Sequence, residues 1–131
     1  MILRHAFLLA AITVELFFGS LAVSAAETKP YTPDAFREAQ KAGQSILVDI
    51  TAPWCPVCRA QKPILAKLTS EPKFKDLVVF DVDFDNQKDV VRNFGAQSQS
   101  TLIVFKGENE IGRSVGDTKS ESIAALLGSA L

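Results

Sequence analysis

Residues 45–51 read SILVDIT, apolar throughout except at the two ends and Asp49. A short run that is apolar on both faces predicts a central strand, covered from above and below. Ahead of it, Ala35, Phe36 and Ala39 fall on one side of a stretch entered from Thr32 or Pro33 and closed by Gly43, which predicts a helix. Behind it, from near Cys55 to about Thr69, Ile64, Leu65 and Leu68 recur at helical spacing. Pro63 lies inside that helix, where it removes one backbone hydrogen bond and favours a bend. LVVFDVDFD, residues 77–85, begins as a buried strand and ends in alternating carboxylates. Residues 86–94 predict a third helix with Val90, Val91 and Phe94 inward. Residues 101–105 predict a second buried strand, with a bend at 107–109 and a return at 110–115. Ile123, Leu126 and Leu127 mark a closing helix. The order is αβαβαββα, with no internal repeat or linker. The early βαβ portion needs a parallel crossover and the late pair can form a hairpin, so the expected class is α/β, a mixed sheet with helices on both faces.

The first thirty residues follow a different pattern. Arg4 and His5 precede an apolar run broken only by Thr13 and Glu15, and Ala22, Ser24, Ala25 and Ala26 close it. A positive start, an apolar middle and a small-residue end are the parts of a secretory signal peptide. The expected division is therefore a leader over 1–26 and one domain over 27–131, with a cut after Ala26 or Ala25. Glu15 inside the run argues against a permanent membrane anchor, because a carboxylate in the bilayer is costly. The whole chain of 131 residues is 47% hydrophobic and 22% charged with a formal net charge of -1, so it should fold. That balance offers nothing to attract nucleic acid.

The candidate chemistry is in TAPWCPVCRAQKPIL, residues 51–65, which holds both cysteines of the chain, Cys55 and Cys58. In an exported protein two cysteines are often a structural staple. A bridge across two intervening residues closes too short a loop to constrain the unfolded chain well. Structural zinc needs about four ligands, and the one histidine, His5, would leave with the leader. Covalent haem attachment would need histidine at position 59, which is Arg59. A pair that opens and closes fits best. Asp81, Asp83 and Asp85 suggest a hard-metal cluster, but Gly95 and Glu108 are far from the calcium-loop spacing. A solvated strand end explains them, and no metal is expected.

With these residues in place the chain resembles the thioredoxin family over nearly all of 27–131. Trp54, Cys55 and Cys58 resemble its WCxxC site. Asp49, six residues before Cys55, matches a buried aspartate; Pro63, five after Cys58, matches the helix proline; Gly116 matches the glycine that lets a substrate chain approach. The resemblance implies a thioredoxin-like fold and a protein-disulfide reductase working by thiol–disulfide exchange. Cys55, Cys58 and Asp49 would be catalytic, and Trp54, Pro56, Ser100 and Gly116 would contact substrate. No cofactor is implied beyond the dithiol, and the protein is expected to act as a monomer. Exported members resembling this chain draw electrons from a membrane thiol transporter and reduce envelope proteins, which would place it in a bacterial periplasm.

Two positions depart from the pattern. Ser100 stands where the family carries a cis-proline. A non-proline cis bond costs about 2.5–4 kcal/mol, so the expectation is a trans bond, a wider groove and a thiol pair more open to soft metal. Asp81 stands near where many members keep a lysine, and two neighbouring carboxylates would raise each other's pKa.

The thiolate is the nucleophile in exchange. At a helix N-terminus Cys55 meets free N–H groups and the positive end of the dipole, so Cys55 should attack and Cys58, one turn in, should resolve. Asp49 is a candidate proton acceptor for Cys58, although its place between Val48 and Ile50 fits either face of the strand. Two alternatives remain: an oxidising or isomerising disulfide donor, and a soft-metal module binding Cu(I) through the two sulphurs.

Overall fold

The computed structural model describes residues 24–131. The expected leader therefore lies outside the described residues except for Ser24, Ala25 and Ala26. Ala26 packs against the core and its N–H donates to the Thr69 carbonyl at 2.9 Å. Among the described residues no helix is long and apolar enough to cross a membrane.

The elements are β1 (Glu27–Pro30), α1 (Pro33–Lys41), β2 (Ser45–Thr51), α2 (Pro56–Thr69), a single 3-10 turn (Pro72–Phe74), β3 (Leu77–Asp83), α3 (Lys88–Asn93), β4 (Thr101–Lys106), β5 (Asn109–Val115) and α4 (Ser120–Gly128). The five-stranded sheet runs β1-β3-β2-β4-β5. Strands β1, β3 and β2 are parallel, and β4 and β5 join antiparallel. SILVDIT is the middle strand, as its two apolar faces require. The expected mixed sheet is present with one addition, the edge strand β1. Its sequence, ETKP, has no apolar residue to mark it, and Pro30 is tolerated because it closes an edge strand.

Alternation along β2 and β3 divides the core. Ile46, Val48, Ile50, Val78, Phe80 and Val82 face one way and meet Phe36 and Ala39 of α1 and Val91 of α3. Leu47, Leu77 and Val79 face the other way and meet Leu65 and Leu68 of α2 and Ile123 and Leu127 of α4. Side chains of this size contribute about 1.5–3 kcal/mol each when fully covered. Asp49 and Asp81, paired across β2 and β3, belong by the same alternation to the α2 face. Helix α1 begins where the Thr32 hydroxyl accepts the Ala35 N–H at 3.2 Å. Helix α2 runs through Pro63 to Thr69. The three alternating carboxylates serve three separate ends. Asp81 points toward α2, and Asp85 accepts from Trp54. Asp83 Oδ1 accepts the N–H groups of Asp85 and Asn86 at 2.9 and 3.1 Å. The Asn86 side-chain amide, which donates to Asp83 Oδ2 at 2.8 Å, and then these N–H groups hold the Asp83 carboxyl below its usual pKa.

Candidate functional site

Strand β2 ends at Thr51 and the chain turns through Ala52–Pro53–Trp54 into α2. Cys55 is the N-cap of α2. Its backbone is extended, and Pro56 occupies the first turn, where a missing N–H costs nothing. The Cys58 N–H donates to Cys55 Sγ at 3.1 Å, so the sulphur takes the part that a serine or aspartate oxygen usually plays at a helix start. That N–H and the helix dipole both favour negative charge on Cys55 Sγ. Cys55 and Cys58 form a disulfide with Cα atoms 5.2 Å apart. They pack with Ala52, against Phe84.

Ser100 lies directly across from the pair. The Gln99–Ser100 bond is trans, as expected, and Ser100 takes a left-handed backbone with φ +61°, the only non-glycine to do so among the described residues. That conformation costs a residue with a Cβ roughly 1–2 kcal/mol. It is held by the Ser100 carbonyl, which accepts the Gly116 N–H at 2.9 Å and Gln61 Nε2 at 3.4 Å. The Ser100 hydroxyl oxygen stands 3.0 Å from Cys55 Sγ and 3.1 Å from Cys58 Sγ.

The expected open thiol pair is not what the structure has. Cys55 is 1% exposed, Cys58 2% and Ser100 3%. Losing the proline ring does not leave a gap, because the left-handed turn brings the serine hydroxyl down onto the sulphurs. For the same reason Ser100 forms a wall of the thiol site. The order of attack rests on the cap position of Cys55, since both thiols are equally covered.

The remaining expected residues separate into a rim and a floor. Trp54 is 54% exposed, and its indole N–H donates to Asp85 Oδ2 at 2.7 Å. Pro56 and Val57 are exposed beside it. Gly116 has φ +71°, a backbone that favours glycine, and open space where a Cβ would stand. These residues border the covered disulfide on the solvent side.

Asp49 lies below. It is buried, and among the described residues it makes no hydrogen bond to either sulphur. It faces a cavity of about 330 Å³ with Thr28, Thr51, Lys62, Ala66 and Asp81 in its wall. Burial pushes the Asp49 carboxyl up to about 7; the Asp81 charge adds to the rise and Lys62 opposes it. Asp81 is raised too, through the water it loses there, and Lys62 again opposes. The sequence alone does not fix which way Asp81 points; the β2–β3 register pairs it with Asp49. The balancing cation comes from α2, one residue before Pro63.

Two participants carried no sequence signal. Gln61 is almost fully buried on α2, and its Nε2 donates to the Asp117 carbonyl at 2.8 Å as well as to Ser100, fastening the loops that frame the thiols. Among the described residues its Oε1 has no partner. Asp85 anchors the exposed tryptophan. A glutamine in a polar stretch of helix and a third aspartate in a row look like solvated positions until the fold places them.

Residues 27–129 match the family model for thioredoxin. Thioredoxin H-type from Brassica campestris is 37% identical over 91 residues, covering 70% of this chain and 72% of that one. Thioredoxin H3 from Arabidopsis thaliana is 38% identical over 94 residues, covering 71% and 77%. Among solved structures, Trxlp from Edwardsiella tarda EIB202 is 40% identical with a TM-score of 0.75, covering 77% of this chain and 98% of that one.

Proposed function

The chain belongs to the thioredoxin family, and on that premise we propose that it is exported and reduces disulfides of cell-envelope proteins. Its activity is protein-disulfide exchange through Cys55 and Cys58. In the reducing direction the Cys55 thiolate attacks one sulphur of a partner's disulfide and the partner's other sulphur leaves as a thiolate. Cys58 gives up its proton and attacks Cys55 Sγ, and the second partner thiolate leaves. Two electrons pass from the dithiol to the partner, and the one proton released is that of Cys58, because Cys55 starts as the thiolate. Asp49 takes the Cys58 proton through water in its cavity. A carboxyl near 7 is matched to that task at neutral pH.

The observation that carries the direction is the neighbourhood of the sulphurs. Cys55 Sγ has the Cys58 N–H and the Ser100 hydroxyl as hydrogen-bond partners, and no cationic side chain joins them among the described residues. Thiolate stabilisation of that modest kind leaves the reduced form a good electron donor. Export is supported by the leader pattern of residues 1–26. A cut after Ala25 keeps the Ala26 hydrogen bond to Thr69. In an oxidising compartment the pair needs resupply, and a membrane thiol-electron transporter is the class of partner that provides it.

The test is to express the full chain carrying Cys58→Ser in a Gram-negative host, fractionate, and identify mixed disulfides by mass spectrometry. Periplasmic proteins joined through Cys55, on a chain lacking its leader, are expected. An uncleaved chain in the cytoplasm, or trapping by the Cys55→Ser variant through Cys58 instead, would overturn export or the order of attack respectively.

A further inference from the structure

Proline at position 100 would offer the thiols no donor. Serine offers one O–H that rotates about its Cα–Cβ and C–O bonds. Its oxygen is nearly equidistant from the two sulphurs, at 3.0 and 3.1 Å, and these are its partners among the described residues. A buried hydroxyl needs a partner, and here the partners are the reacting atoms themselves. The left-handed backbone that puts it there is unfavourable for serine and is held by Gly116 and Gln61. A conformation that must be held in place, and that delivers a polar group to a covered reaction centre, has the mark of function.

We propose that the Ser100 hydroxyl is a catalytic hydrogen-bond donor that serves the two thiolates in turn. In the reduced protein the Ser100 O–H donates to the Cys55 thiolate while the Cys58 S–H donates to Ser100 Oγ. Once Cys55 Sγ is bonded to the partner's sulphur its charge is gone, and Cys58 must ionise to attack. The hydroxyl then rotates and donates to Cys58 Sγ. When Cys58 Sγ bonds to Cys55 Sγ, the partner's second sulphur takes the electron pair of the broken bond and leaves, and neither protein sulphur is charged. Running backward, a donor thiolate attacks Cys55 Sγ, Cys58 leaves as the thiolate, and the same hydroxyl receives it. No proton is lost or gained by Ser100 in either direction. The inference rests on the exchange activity and is independent of export or substrate.

The test uses reduced protein carrying Ser100→Ala or Ser100→Gly. Site-resolved alkylation by iodoacetamide from acid to alkaline pH gives the Cys55 titration, and equilibration with glutathione gives the disulfide fraction. Hydrogen bonds to charged groups are strong enough to shift such an equilibrium about tenfold. Both variants should raise the Cys55 midpoint by about one pH unit. Both should move the glutathione equilibrium about tenfold toward the disulfide, about 30 mV for the two-electron couple. Glycine accepts the left-handed backbone without strain, so Ser100→Gly separates the hydroxyl from the conformation and keeps the test decisive if the alanine variant folds poorly. Unchanged midpoints and equilibria in both variants overturn the proposal. A shift in Ser100→Ala that is absent in Ser100→Gly also overturns it, because it assigns the effect to the backbone.

Discussion

Asp49→Asn should make this protein more stable at neutral and alkaline pH, although it removes a candidate catalytic group. The Asp49 carboxyl is raised from 3.8 to about 7 in the folded chain, first by burial and then by Asp81. In the unfolded chain it ionises near its ordinary value. Below pH 3.8 it is protonated in both states and has no effect. Between 3.8 and about 7 the folded protein binds a proton that the unfolded chain does not, so stability falls as pH rises. Above about 7 the loss is complete. At 1.36 kcal/mol per pH unit it approaches roughly 4 kcal/mol. The cavity beside Asp49 admits water, so the measured figure should be roughly 2–4 kcal/mol. Asparagine keeps the shape and has no charge to bury. Urea unfolding of the oxidised wild type and variant from about pH 4 to about pH 8 removes the sulphurs from the comparison, since disulfide-bonded sulphurs do not titrate, and Asp81, which is also raised, is present in both proteins. Asp83, Asp117 and Glu110 are lowered by their hydrogen bonds, so they act at more acidic pH and with the opposite sign. The variant should match the wild type near pH 4 and exceed it increasingly up to about pH 7. Parallel curves, or a variant that is less stable at about pH 8, would refute the account of Asp49 as a buried, raised carboxyl.

The neighbours of Asp49 should move its titration in opposite directions. Lys62→Gln should raise its midpoint and Asp81→Asn should lower it, both read by carboxyl carbon NMR; shifts of the same sign would contradict the arrangement of charges around the cavity. Gln61→Leu leaves the Asp117 and Ser100 carbonyls without their amide donor, though it also removes the unpartnered Oε1. It should destabilise the protein by about 1–2 kcal/mol and speed amide hydrogen exchange at Gly116, whose N–H bonds the same Ser100 carbonyl. Unchanged stability and exchange would show that Gln61 fastens nothing.

The sheet was legible because SILVDIT and LVVFDV are apolar on both faces, and that pattern has few solutions besides buried parallel strands. Strand β1 was not legible, since an edge strand of ETKP pairs through its backbone and hides no side chain that would show in the pattern. Cys55 and Cys58 could be singled out by spacing alone, and Asp49 by the family resemblance, which implies a buried aspartate at that position. Asp81 facing Asp49 follows only from the β2–β3 register, and Lys62 as the counter-charge only from where α2 crosses the strands. Ser100 is the instructive case. Its difference from the family was visible, but a missing ring suggested open space. Whether a serine opens or fills a site depends on φ, and φ here is set by Gly116 and Gln61, which are distant in sequence.

The reduction potential of the Cys55–Cys58 pair tests the reductant assignment most directly. Equilibrating the full-length protein against glutathione redox buffers and quantifying the disulfide by mass spectrometry gives it in one titration. A sulphur pair stabilised by one N–H and one hydroxyl, without a cation, should lie closer to the thioredoxin value of about −270 mV than to the strong oxidants. A potential near about −120 mV would mean a greatly stabilised thiolate that the observed neighbours do not explain, and would make the protein a disulfide donor instead.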